Sequence, residues 1–118
     1  MRLTFWGTRG SIATPGKETI RYGGNTPCTE VRLGNGELII LDAGTGIRNL
    51  GEKLHHNGEC VKAFILISHP HWDHIQGFPF FKPAFVKGNE ITIVGAETHK
   101  LNLQNMITDQ MNKIYFPL

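Results

Sequence analysis

Ser68-His69-Pro70-His71-Trp72-Asp73-His74 decides how this chain is read. It follows the apolar run Ala63-Phe64-Ile65-Leu66-Ile67, which reads as a strand buried on both faces. Three imidazoles and one carboxylate fall within residues 69–74, with Pro70 and Trp72 between them. Neutral imidazole and carboxylate both suit a borderline cation such as zinc. In an extended stretch His69 and His71 project to the same side and can grip one ion together. Asp73 and His74 come past a bend, where a helix can begin, and can reach a second ion beside the first. Two ions about 3.5–4 Å apart would hold a bridging hydroxide, lower the pKa of bound water to roughly 7, and clamp a phosphoryl centre. A helix starting near His74 would turn its N-terminal amides toward an anionic group there. A lone histidine on an apolar face is usually packed or solvated, but packing does not explain four such side chains at the end of one buried strand.

Working outward, Arg2 to Gly7 alternates loosely and predicts a first strand. A loop rich in turn formers follows, from Gly7 to Pro27, of a kind that covers a site. Thr29–Leu33 predicts a second strand, Asn35-Gly36 a hairpin turn, and Glu37–Asp42 a third strand with Leu38–Leu41 buried on both faces. Ala43-Gly44-Thr45-Gly46 is a turn, and a helix is predicted from Ile47 to His56, ending at Asn57-Gly58. After the motif, Glu90–Val94 predicts a strand and Thr98 to about Lys113 a helix with Leu101, Met106, Ile107 and Met111 on its apolar face. The order β-β-β-α-β-loop-β-α indicates a layered α/β domain.

The chain has 118 residues, which fits one domain, and 12 basic against 10 acidic side chains give a net charge of +2. That charge is too mild to indicate nucleic-acid binding by itself, though it is compatible with an anionic substrate. Cys28 and Cys60 are expected to stay reduced. The N-terminus enters a strand at once, and no run approaches the ~20 apolar residues of a membrane span. A cytoplasmic protein without membrane contact is therefore expected.

The pattern His69-x-His71-x-Asp73-His74 after an apolar strand resembles the signature of the metallo-β-lactamase superfamily. Leu41-Asp42-Ala43-Gly44-Thr45-Gly46 resembles the early strand of that family ending in Asp-x-Gly. Three further stretches resemble its ribonuclease Z-like and cyclic phosphodiesterase-like members: Gly7-Thr8-Arg9-Gly10-Ser11, Tyr22-Gly23-Gly24-Asn25-Thr26-Pro27-Cys28 and Tyr115-Phe116-Pro117-Leu118. The resemblance implies an α/β, αββα-sandwich fold, of which residues 1–118 form the N-terminal βα half. It implies two divalent metal ions, zinc by default with manganese or iron also suited. His69 and His71 would serve the first metal, and Asp73 and His74 the second, so that catalysis would depend on Asp73 and His74. Asp42 would orient a ligand histidine through a hydrogen bond; its plainer reading is a strand-end Asp capping the following turn.

The family completes its site with downstream ligands. Here the later candidates are His99 and Asp109, and His99 is read as a surface residue at a helix start. The expectation is thus a truncated domain, whose uncovered face would pair with itself or with another chain. His55 and His56 suit a helix C-terminus. Ser11 and Cys28 lack a base at motif spacing and are not read as nucleophiles. Trp72 is expected to pack against the sheet edge, with substrate stacking the alternative. Phe78, Phe80, Phe81 and Phe85 are expected in the core, with a cleft wall the alternative. Arg9 is the better anion contact than Lys82 or Lys87.

The function expected is metal-dependent hydrolysis of phosphodiester bonds, in RNA or a small nucleotide-like substrate, by a metal-bound hydroxide. The alternatives are a thioester, lactone or β-lactam hydrolase on the same fold, and a non-catalytic half-domain. A homo-oligomer is an expected partner state.

Overall fold

The computed structural model describes residues 1–117, so Leu118, the last residue of the Tyr115-Phe116-Pro117-Leu118 stretch, lies outside the described residues. Five strands form one sheet: β1 (Arg2–Gly7), β2 (Cys28–Arg32), β3 (Leu38–Leu41), β4 (Lys62–Ile67) and β5 (Glu90–Gly95), in spatial order β1-β2-β3-β4-β5. The pairs β1/β2 and β2/β3 are antiparallel, while β3/β4 and β4/β5 are parallel. Connection length explains the change. The β2–β3 link turns at Gly36, whose φ of 87° only glycine adopts freely, and the Leu33 amide donates to the Glu37 carbonyl at 3.0 Å. The β3–β4 link instead carries a helix, α1 (Ile47–His56), which is what a parallel return requires.

One stripe of α1 explains where the core sits. Ile47, Leu50, Gly51 and Leu54 are buried, and Lys53, His55 and His56 occupy its last turn. The buried stripe packs on the sheet face made by Cys28, Leu38, Ile40, Ala63, Ile65 and Ile67. Gly51 lets two short 3-10 turns, Phe78–Phe80 and Lys82–Phe85, approach the helix, and the fully buried Phe81 ring lies against it. Of the four phenylalanines expected in the core, Phe78 and Phe81 are buried, whereas Phe80 and Phe85 are more than half exposed. The 3-10 geometry turns successive side chains to different sides, so one apolar run cannot bury them all.

The opposite sheet face differs from expectation. Register places Leu3, Val31, Ile39 and Phe64 in one row, and Phe5, Thr29, Leu41, Leu66 and Val94 in the next. Phe5 is 68% exposed, and Leu41 and Leu66 are each 38% exposed. The runs in β3 and β4 are therefore buried on one face only, because α1 covers just that face.

The last helix is also shorter than its sequence suggests. Residues Thr98 and Leu101 pair in an isolated bridge, and Asn102 accepts from the Asn105 amide at 3.0 Å to start α3 (Leu103–Asp109). A side-chain cap at Asn102 competes with helix extension N-terminal to it, which explains the late start. Among the described residues no helix is long and apolar enough to cross a membrane.

Candidate metal centre

Parallel pairing sends the C-terminal ends of β3 and β4 to the same end of the sheet, with Leu41 opposite Leu66. Asp42 and Ser68 follow directly and meet there. The Asp42 amide donates to the Leu66 carbonyl at 2.8 Å. Its carboxylate accepts from the Ser68 amide at 2.7 Å, lies 2.8 Å from the Ser68 hydroxyl through Oδ2, and lies 2.9 Å from Nδ1 of His74. To do this Asp42 takes a left-handed backbone with φ of 63°. The carboxylate thus reaches across to the motif rather than capping the turn after it.

The motif is clasped onto that turn by its backbone. The Ala43 amide donates to the His74 carbonyl at 2.8 Å, and the Gly77 amide donates to the Ala43 carbonyl at 2.9 Å. Contact is so close that a Cβ at Gly44 would overlap the backbones of Asp73 and Thr26. The bend predicted after His71 is present: His71 is extended, and a single helical turn, α2 (Trp72–Ile75), follows. Four residues align too few peptide dipoles to draw an anion, so the expected contribution of a helix N-terminus is absent.

The motif side chains gather in one cluster. Ring centroids of His69 and His71 lie 4.5 Å apart, and those of His69 and His74 lie 4.0 Å apart. Ser68 Oγ sits 3.0 Å from Nδ1 of His69. His69 and His74 therefore both turn Nδ1 toward the Ser68–Asp42 pair. With the proton on Nδ1, the lone pair is left on Nε2, the atom suited to a metal. Asp73 Oδ2 is 3.3 Å from His74 Nε2 and accepts from the Ser11 amide at 2.9 Å. That amide bond is the largest influence holding the Asp73 carboxyl below its ordinary range; partial burial opposes it, and His74, the residue's own amide and His71 add to it.

Ser11 was weighed in the sequence only as a nucleophile. Its placement shows a different role: its amide holds Asp73 from a loop sixty-two positions away in the chain. Ser11 (φ 70°) and Asp42 are the two non-glycine residues with left-handed backbone among the described residues, and both grip the motif. The Gly10-Ser11 turn was the available signal, but no local pattern says which side chain a loop amide will meet.

The donor chemistry fits divalent metal ions: three imidazoles and a carboxylate held ionised, two of the imidazoles aimed by hydrogen bonds behind them. Among the described residues the donors do not yet converge, three or more, on one point. Asp73 leans on Ser11 and His74 instead, so the set fits part of a ligand shell. An apolar pocket of about 160 Å³ opens beside His69, walled by Ile67, Pro70, Leu101, Leu103 and Met106.

Other candidates stay apart. His99 is exposed in the turn before α3, and Asp109 ends that helix; neither joins the cluster. Cys28 is free and buried, and burial, reinforced by Asp42 and Glu30, pushes its thiol up to about 12, so it carries no thiolate. Cys60 is free and exposed. Trp72 does not pack on the sheet edge: it is 68% exposed, because the α2 turn carries it outward while Ile75 takes the buried side.

A sequence profile described as the metallo-beta-lactamase superfamily matches residues 21–108, which takes in Asp42 and all of 69–74. Ribonuclease Z of Staphylococcus carnosus (strain TM300) is 30% identical over 125 aligned positions, covering 100% of this chain and 38% of that protein. The chain therefore spans less than two-fifths of that relative's length. No solved structure matches the chain significantly.

Proposed function

The chain belongs to the metallo-β-lactamase superfamily, and from that premise we propose that it forms part of the active site of a metal-dependent hydrolase acting on phosphodiester bonds, in RNA or a small nucleotide-like substrate. Residues 1–118 correspond in this reading to the N-terminal part of the domain, in a cytoplasmic enzyme.

The observation that carries the reading is the chain of contacts from Asp42 through Ser68 and His74 to His69. It turns two imidazoles so that the same nitrogen of each is left for an ion, an arrangement with no use in plain packing. His69 and His71 would hold one metal, and Asp73 and His74 a second, with zinc the default and manganese or iron suited to the same donors. When bound, such ions supply an activated water and neutralise charge that develops on phosphoryl oxygens. The chain's own residues hold that shell in place. Asp42 fixes the tautomer and tilt of His74, Ser68 does the same for His69, and the Ser11 amide keeps Asp73 ionised and aimed. Similarity to a ribonuclease Z favours phosphodiesters over other substrates.

The test is turnover of bis(4-nitrophenyl) phosphate by the whole enzyme of which this chain forms part in this reading, stripped with chelator and reloaded with zinc or manganese. Asp73→Ala should abolish turnover while leaving the thermal midpoint nearly unchanged, since Asp73 lies outside the hydrophobic core cluster. Full activity in that variant would overturn the reading. Turnover of a β-lactam or a thioester in place of the phosphodiester would move the assignment to another hydrolase on this fold.

A further inference from the structure

We propose that the cleft between Trp72 and Tyr115 is a base-stacking subsite that takes the planar ring of a nucleobase. The proposal rests on the phosphodiesterase reading and names what lies beside the bond to be cut. Trp72 stands between His71 and Asp73, yet the residue is 68% exposed, and Tyr115 is 79% exposed. The two line a cleft of about 490 Å³ whose other lining residues are Asp109 and Gln110.

Both walls are anchored, which distinguishes this cleft from two stray surface aromatics. On one side, Trp72 begins the α2 turn, which is bonded to the Asp42-Ala43-Gly44 segment through the His74 carbonyl. On the other, the amides of Tyr115 and Phe116 both donate to the Asn112 carbonyl at 2.8 Å, closing a tight turn. The Phe116 ring packs edge-on against Phe80 at 5.5 Å between centroids, which ties that turn to the segment following the motif. Gln110 joins the walls: its amide nitrogen donates to the Ile75 carbonyl at 3.1 Å, fixing the end of α3 to α2. The result is an open cleft lined by two exposed aromatic residues together with Asp109 and Gln110.

Aromatic rings hold bases because every base has a π-face, and the preference is tolerant of sequence. An alkyl chain would fill such a cleft without using the polar residues. A base uses both, since its exocyclic amine or ring N–H can meet the carboxylate of Asp109 or the side-chain carbonyl of Gln110. Trp72 is the residue between His71 and Asp73, so a base held against it would lie one residue along the chain from two of the candidate metal donors.

Calorimetric titration tests this with metal-free protein in chelator, using adenosine, guanosine and cytidine 5′-monophosphates against ribose 5-phosphate. The nucleotides should bind more tightly than the sugar phosphate. Trp72→Ala and Tyr115→Ala should each weaken nucleotide binding roughly 10- to 100-fold, while Trp72→Phe, which keeps a ring, should retain most of it. Thermal melts check that the variants fold, as they should with both rings exposed. Equal binding of ribose 5-phosphate, no nucleotide binding at millimolar concentration, or variants that bind like the parent would each overturn the subsite. The two readings fail separately. Hydrolysis of bis(4-nitrophenyl) phosphate without base-dependent binding removes only the subsite, whereas base-dependent binding without hydrolysis on any metal removes the hydrolase reading and leaves the subsite.

Discussion

Asp42 concentrates three tasks in one carboxylate: it receives the Ser68 amide, the Ser68 hydroxyl and His74 Nδ1, from a backbone conformation that few residues tolerate. Asparagine also tolerates left-handed backbone, so Asp42→Asn should fold but lose the charge that orients His74. Zinc affinity, measured by competition with a chromophoric chelator, should fall about 10- to 100-fold. Asp42→Ala should lose the same affinity and, in addition, about 1 kcal/mol of stability through backbone strain. Unchanged affinity in both variants would show that His74 needs no such support. Glu30 is the second residue where charge is built in. It is 1% exposed, and accepts from Arg32 Nε at 2.9 Å and Trp6 Nε1 at 3.0 Å. Burial alone would push its carboxyl up. The hydrogen bonds from Arg32 and Trp6, with the charges of Lys53 and Arg32, outweigh burial and hold it below 4.5. A folded value below the unfolded one stabilises the fold above the unfolded value and is lost as pH falls through the folded one. Arg32→Ala should therefore cost about 1–3 kcal/mol near neutral pH, and the gap from the parent should close on acidification below pH 4.5. Chemical denaturation at several pH values reads this directly; a gap independent of pH would place the effect in packing instead.

At the scale of elements, α1 and α3 show how context sets length. The run Ile47–His56 has an apolar stripe that meets the sheet, and its predicted bounds coincide with the observed ones. The run from Thr98 lacks a continuous stripe, and only Ile107 of α3 is buried. A helix with so little buried surface depends on its cap. Asn102→Ala should cost about 1 kcal/mol, seen as faster amide exchange across residues 103–109 with little change in the global midpoint. If exchange there is unaffected, the Asn105 amide has another partner in solution. The α2 turn makes a similar point in the opposite sense: the bend after His71 was readable, but its four-residue length follows from Gly77 docking on Ala43 and Gly44.

For the whole molecule, the sheet is covered on one face and open on the other. The open rows carry Leu3, Phe5, Leu41, Leu66 and Val94, an apolar surface of the kind that marks an interaction site or a solubility liability. Because Phe5 is 68% exposed, Phe5→Lys should change stability by no more than about 0.5 kcal/mol. The same change should reduce binding of a hydrophobic dye such as anilinonaphthalene sulfonate. Dye binding equal to the parent would mean that this face is covered in solution.

The sequence alone determined the order of the five strands and of α1 and α3 among them, the hairpin at Asn35-Gly36, the α1 boundaries and the family, because these rest on local periodicity, turn chemistry and motif spacing. It also singled out His69, His71, Asp73 and His74 as a donor set. Tertiary structure decided which partners meet: Asp42 with His74 and Ser68, Ser11 with Asp73, and Trp72 with Tyr115 in the lining of one cleft. It also decided that apolar strands are covered on one face and that the last helix is short. Those outcomes depend on contacts between residues far apart in the chain, where a side chain's burial is set by what arrives opposite it, and no periodicity within one segment encodes that arrival.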